Sequence, residues 1–189
     1  ESSGAGAKPR RAGNRQDARE ILGKRKQYPL ITMLAKVHSA TLSGLEAMEV
    51  TIEVDNFDGG QNSRFSIVGL PDNAVKESQE RVQSALRVNG YKAPFRSVVV
   101  NLAPADVRKE GSGFDLPMAV GVMLSFEFLK IDTPDRYMFV GELGLDGSIL
   151  PVKGVLPISV KAREMGYEAL FVPAENAREA AVVNKLKVY

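Results

Sequence analysis

Residues 97–126 read SVVVNLAPADVRKEGSGFDLPMAVGVMLSF, and this stretch decides the fold. Ser97 to Leu102 is a continuous run rich in β-branched residues, suited to a strand buried on both faces, and Pro104 ends it. A charged pair, Lys109-Glu110, then enters the glycine turn Gly111-Ser112-Gly113. Beyond it Leu116, Ala119, Val120 and Met123 fall on one helical stripe, so a central buried helix is expected. Strand, glycine turn and buried helix in succession define an alternating α/β unit.

The same alternation extends in both directions. Upstream, Val37, Ser39 and Thr41 and then Met48, Val50, Ile52 and Val54 alternate as two half-buried strands. A short strand from Phe65 to Val68 exits through Gly-Leu-Pro. Residues 74–88 place Val75, Val82, Leu86 and Val88 at helical spacing, and Asn89-Gly90 stops the helix. Downstream, YMFVGELGLDGSILPVKG reads as two strands joined at Leu145-Asp146-Gly147, an Asp-Gly hairpin signal. A helix over 155–165, a strand over 169–172, a helix over 176–183 and an edge strand over 186–189 complete the chain. The class is α+β with α/β-type alternation.

With 189 residues, 44% hydrophobic and 25% charged, the chain has the composition of one ordinary globular domain. No apolar run is long enough to span a membrane, no secretory h-region opens the chain, and cytoplasmic residence is expected. The absence of cysteine excludes disulfides, thiolate nucleophiles and Cys-based metal sites, and a single histidine, His38, leaves no His-rich metal site. His38 stands in a strand pattern where a structural role is expected over catalysis. Over residues 1–32 Lys and Arg outnumber the acids eight to three; thereafter the balance is 17 to 20, a net of about −3. Residues 1–32 read as a basic tail or linker, disordered or not native to the protein, with Met33 as a natural start of the domain. Arg10, Arg11, Lys24, Arg25 and Lys26 could contact nucleic-acid phosphates.

Neither GAGAKPRRAG nor GLPDNAVKES has the spacing of a phosphate-binding loop, and no G-x-S-x-G elbow is present. The glycine turn is the one candidate for chemistry. A helix N-terminus with free amides can bind an anion or activate a nucleophile, with Arg108, Lys109, Glu110 and Asp115 as anion or partner contacts. The blander reading puts Asp115 in the first helical turn, favouring the dipole and capping an amide.

Four segments, MLAKVHSATLSGLEA, FSIVGLPDNAVKESQERVQSAL, VVVNLAPADVRKEGSGFDLPMAVGV and VGELGLDGSILPVKGVLPISVKAREMG, occur in an order that resembles the start of magnesium chelatase-like AAA+ proteins, the ComM/YifB family. The resemblance covers residues 33–189. It implies a ChlI-type N-terminal domain with the Lon protease-like version of the ribosomal protein S5 domain 2 fold, ahead of an AAA+ module. It also implies ATP and magnesium for the full-length protein and none in this fragment, and as partners its own AAA+ module, neighbouring subunits of a hexameric ring and DNA, without a membrane.

Lon resembles this chain at the glycine turn and at the GELGLDGSILPVKGV hairpin, the places of its serine and lysine. With Met118-Ala119 matched, the serine position falls on Gly113; counted from Leu150-Pro151, the lysine position falls on Leu156. Ser112 is one residue early and Lys153 three, and one residue at a helix entry turns a side chain by roughly 100°. The dyad therefore reads as degenerate, and the chain as a non-catalytic domain of a ring-forming DNA branch-migration helicase acting in recombination or transformation. A shifted register would pair Ser112 with Lys153 or Lys109 as a Ser/Lys peptidase. A stand-alone nucleic-acid-binding module, through the tail, Arg108, Lys109 or the 76–87 helix face, is a third reading. No porphyrin or magnesium ligand set supports a metal-inserting subunit.

Overall fold

A computed structural model of the chain describes residues 34–92 and 96–189. The basic tail with its five candidate phosphate contacts, and Met33, lie outside them. Strand β1 (Ala35–Ser43) turns at Gly44, where φ is +64°, into the long strand β2 (Glu46–Asp58), and the two pair antiparallel with Val37 opposite Ile52. After β3 (Phe65–Val68) comes helix α1 (Asn73–Val88), capped by the Asp72 carboxylate, which accepts the Val75 N–H at 2.8 Å. Strand β4 (Arg96–Ala103) leads through the glycine turn into α2 (Asp115–Ser125). Then follow β5 (Tyr137–Phe139), a two-stranded ribbon of β6 (Glu142–Leu143) and β7 (Ile149–Leu150), α3 (Val155–Glu164), β8 (Ala169–Phe171), the single turn α4 (Ala177–Ala180) and β9 (Lys187–Val188).

The main sheet has the order β3-β4-β2-β1-β5-β8-β9. Its pairs are parallel except β4–β2 and β2–β1, so it is mixed and mostly parallel. Alternate side chains of each strand serve the two faces. Val37, Ile52, Val54, Val100 and Leu102 join Val75, Val82 and Met118 of α1 and α2 in one core. Ala40, Met138 and Leu170 join Val155, Ile158 and Ala162 of α3 in another.

Four expectations change in detail. The 97–102 run is not buried on both faces: Val98, Val100 and Leu102 enter the core, while Val99 and Asn101 are half-buried on the face where Asn101 bonds Glu53 at 3.0 Å. Val88 is 61% exposed, because α1 ends there and its inward stripe runs through Val75, Ser78, Val82 and Ala85. The segment before the Asp-Gly turn is two strands, not one. Beyond Phe139 the chain leaves the sheet as the Gly141 N–H bonds the Gly113 carbonyl at 2.9 Å and the Gly141 carbonyl accepts Leu116 N–H at 2.9 Å. The ribbon that follows turns through Gly147, at φ +89°, beneath Asn89, whose side chain donates to the Asp146 carbonyl. The helix expected over 176–183 is a 3-10 turn, Ala174–Asn176, followed by α4.

Candidate functional site

The glycine turn stands at one end of the sheet, where β1 and β5 finish and α2 begins. Together with Thr41, Val140, Glu142, Val152 and Lys153 it walls a cleft of about 520 Å³. Asp72 anchors the turn to α1. Its N–H bonds the Lys109 carbonyl at 3.0 Å, the Lys109 N–H bonds the Leu70 carbonyl at 3.2 Å, and its second carboxylate oxygen accepts Gly111 N–H at 3.2 Å.

The Ser112 hydroxyl donates to the Glu142 carboxylate, on the ribbon. Lys153 lines the same cleft, but among the described residues the hydroxyl bonds neither it nor Lys109. Lys109 is fully buried and turned the other way, its ammonium donating to the Pro104 carbonyl, so a Ser112–Lys109 pairing does not fit this structure. Burial pushes the Lys109 pKa down from the ordinary lysine range, and the nearby Asp106 carboxylate offsets only part of that.

Gly113 carries no hydroxyl, and a Cβ built there would meet Val140 Cγ2 at 3.3 Å and Val152 Cγ1 at 3.9 Å, an apolar wall. Leu156, in the first turn of α3, faces a different groove with Leu45, Pro157 and Val160, and its N–H donates to Glu179 at 2.9 Å. The two positions matched to the Lon serine and lysine thus line separate surfaces. A serine needs an adjacent base to attack a carbonyl, and this pair of positions supplies neither group.

Asp115 is fully buried, so its contacts are internal rather than to an anion or partner. Its carboxylate accepts Arg81 Nε at 2.6 Å and Nη2 at 3.1 Å, and the Leu143 N–H at 3.1 Å, tying α2 to both α1 and the ribbon. Asp115 in turn raises the pKa of the Arg81 guanidinium further. Arg108 and Glu110 are exposed and pair with each other at 3.2 Å. His38 Nδ1 lies 3.0 Å from a Glu49 oxygen without the alignment of a hydrogen bond, and Tyr167 donates its hydroxyl to that same oxygen.

Arg81 and Glu142 are the site residues that sequence reading missed. A signal for Arg81 existed: it sits beside Val82 and three residues after Ser78, a cation on the inward face of α1 that requires a buried partner. Nothing local points to Glu142, which reaches Ser112 across 30 residues.

A mostly parallel sheet with helices on both faces and a glycine turn opening a buried helix at the strand ends defines the class, a Lon protease-like domain of the S5 type. The family model described as "Subunit ChlI of Mg-chelatase" matches residues 52–176, and the chain belongs to this magnesium chelatase ChlI-like family. It is 41% identical to the competence protein ComM of Haemophilus influenzae over 156 residues, covering 82% of this chain and 30% of that protein. It is 38% identical to the protein YifB of Salmonella typhimurium over 152 residues, 80% of this chain and 29% of that one. Lon protease 2 of Bacillus subtilis is 29% identical over 102 residues, 54% of this chain and 18% of the protease. The chain therefore spans about three tenths of the length of the ComM and YifB relatives.

Proposed function

We propose that this chain is the non-catalytic N-terminal domain of a longer magnesium chelatase-like AAA+ ATPase, a cytoplasmic, hexameric, DNA-acting motor that migrates branches during recombination or transformation. The observation that carries the non-catalytic part is the separation of Gly113 and Leu156, two positions that supply neither hydroxyl nor amine and line different surfaces. Support for the rest comes from the length of the relatives beyond the matched part and from the name of ComM, a competence protein. On this reading ATP and magnesium bind the module that follows, and the domain helps assemble or regulate the ring through contacts with that module and with neighbouring subunits. Among the described residues no helix is long and apolar enough to cross a membrane. The full-length protein should hydrolyse ATP several-fold faster with DNA than without, and lose hydrolysis when the lysine of its phosphate-binding loop is replaced by alanine. Hydrolysis indifferent to DNA would overturn the motor reading.

One observation favours a second reading, a Ser/Lys peptidase in a shifted register: Ser112 and Lys153 line the same cleft. Against it stands the hydroxyl's donation to Glu142.

A further inference from the structure

On another side of the domain, the last turn of α1, the start of β4 and the exit of α2 enclose a groove of about 360 Å³. Its floor is aromatic. Phe126 and Phe128 stack with centroids 5.5 Å apart and planes at 11°, and Tyr91 leans on Phe128 at 5.5 Å. Tyr91 is 37% and Phe128 38% exposed, so part of each ring's surface stays open to a ligand. Its rim is cationic: Arg64, Arg87 and Lys92 are exposed, and Arg96 is half-buried. Among the described residues no Asp or Glu lines the groove, Glu127 between the two phenylalanines included, and none of these four cations has a carboxylate within 4.0 Å. This contrasts with the glycine-turn cleft, which Asp72, Glu110 and Glu142 line.

We infer that this groove binds single-stranded nucleic acid, stacking an unpaired base on the Tyr91–Phe128 shelf while the Arg and Lys rim holds the flanking phosphates. Open rings beside unpaired cations are what a single strand requires, because every base has a π face and every linkage a negative charge. A duplex hides those base faces in its own stack, and an acidic peptide would use the cations but leave the rings unfilled. Arg96 joins the two halves of the site. Its Nη2 donates to the Asn56 carbonyl at 2.9 Å, its guanidinium carbon lies 6.0 Å from the centre of the Phe126 ring, and its Nε is buried without a partner among the described residues. The inference rests on the DNA-motor reading only for the identity of the strand as DNA; the chemistry of the groove does not depend on an ATPase.

The test is fluorescence anisotropy of a labelled short oligothymidylate titrated with the whole 189-residue chain, repeated over a range of salt and against a duplex of equal length. The basic tail stays in every variant, so its contribution cancels. Arg87→Gln combined with Lys92→Gln should weaken binding about tenfold and make the salt slope shallower by roughly 0.7 per lost phosphate contact. Tyr91→Ala should weaken it roughly fivefold or more with the salt slope unchanged, and Tyr91→Phe should restore it. Variants that bind like the wild type, or equal affinity for duplex and single strand, would overturn the inference by leaving binding to the tail. Competition by thymidine monophosphate as effective as by the oligonucleotide itself would also overturn the inference, because a single strand held through flanking phosphates must outcompete a mononucleotide. Groove binding without DNA-stimulated hydrolysis in the full-length protein sinks the motor reading alone, and the reverse result sinks the groove alone.

Discussion

Arg81 and Asp115 bury a charge pair beside the glycine turn, and the pair is worth most through what its loss would leave behind. Asp115 has no exposed surface, so removing its charge leaves a mostly enclosed guanidinium with only the exposed Glu77, 3.7 Å away, as an ionic partner, and gives the Leu143 N–H a weaker acceptor. Asp115→Asn should cost about 3 kcal/mol in urea unfolding, and a cost below about 0.5 kcal/mol, the range of a surface substitution, would show that the pair does not hold α1 to α2. Lys109 makes a pH-dependent contribution of known sign. Its folded pKa lies below the unfolded one, so in the window beneath the ordinary lysine value of about 10.4 the unfolded chain binds more protons and stability rises with pH. Wild type should therefore gain stability relative to Lys109→Met as pH is raised from neutrality towards that value; a constant difference between the two would contradict the burial of a titrating amine. These residues also mark the limit of what the sequence shows. The turn itself, Gly111-Ser112-Gly113 before an apolar helix, is legible because glycine and helix periodicity are local signals. The partners Arg81 and Glu142 are not, since they arrive from 34 and 30 residues away and only the fold brings them in.

At the scale of elements, α2 lies against the sheet because it has a glycine where it crosses β2. A Cβ at Gly121 would come within 2.6 Å of Val54 Cγ2 and 3.6 Å of Val37 Cγ2. Alanine is the better helix former by about 1 kcal/mol, yet Gly121→Ala should destabilise the domain by about 1–3 kcal/mol through overpacking, read by thermal or chemical denaturation. A stabilised variant would show that α2 has room to lift off the sheet. Most elements were readable in advance: alternation marked β1 and β2, the Asn-Gly stop marked the end of α1, and Asp146-Gly147 marked the ribbon. What could not be read was where pairing changes partner. Tyr137 to Leu143 has one continuous pattern, but Gly141 gives its hydrogen bonds to the α2 entry instead of to a strand, and the sheet ends there for a reason that lies in tertiary contacts. The β-branched run of β4 likewise carries no mark of which face a helix will cover.

For the molecule as a whole, a sheet flanked by two cores places the glycine turn, the ribbon and the entry of α3 at one end, and the basic aromatic groove elsewhere. The fold is shared with Lon-like proteins, whereas the chemistry depends on which side chains face the cleft. Here Ser112 faces it with a carboxylate partner, Gly113 brings no side chain, and Leu156 looks into another groove. The most direct measurement of the central claim is labelling of the purified chain with a serine-reactive fluorophosphonate, read beside cleavage of casein and beside the Ser112→Ala variant. The account predicts no labelling above that of the denatured protein and no cleavage. Labelling that disappears in Ser112→Ala, together with casein cleavage, would contradict it and make this cleft a working peptidase site.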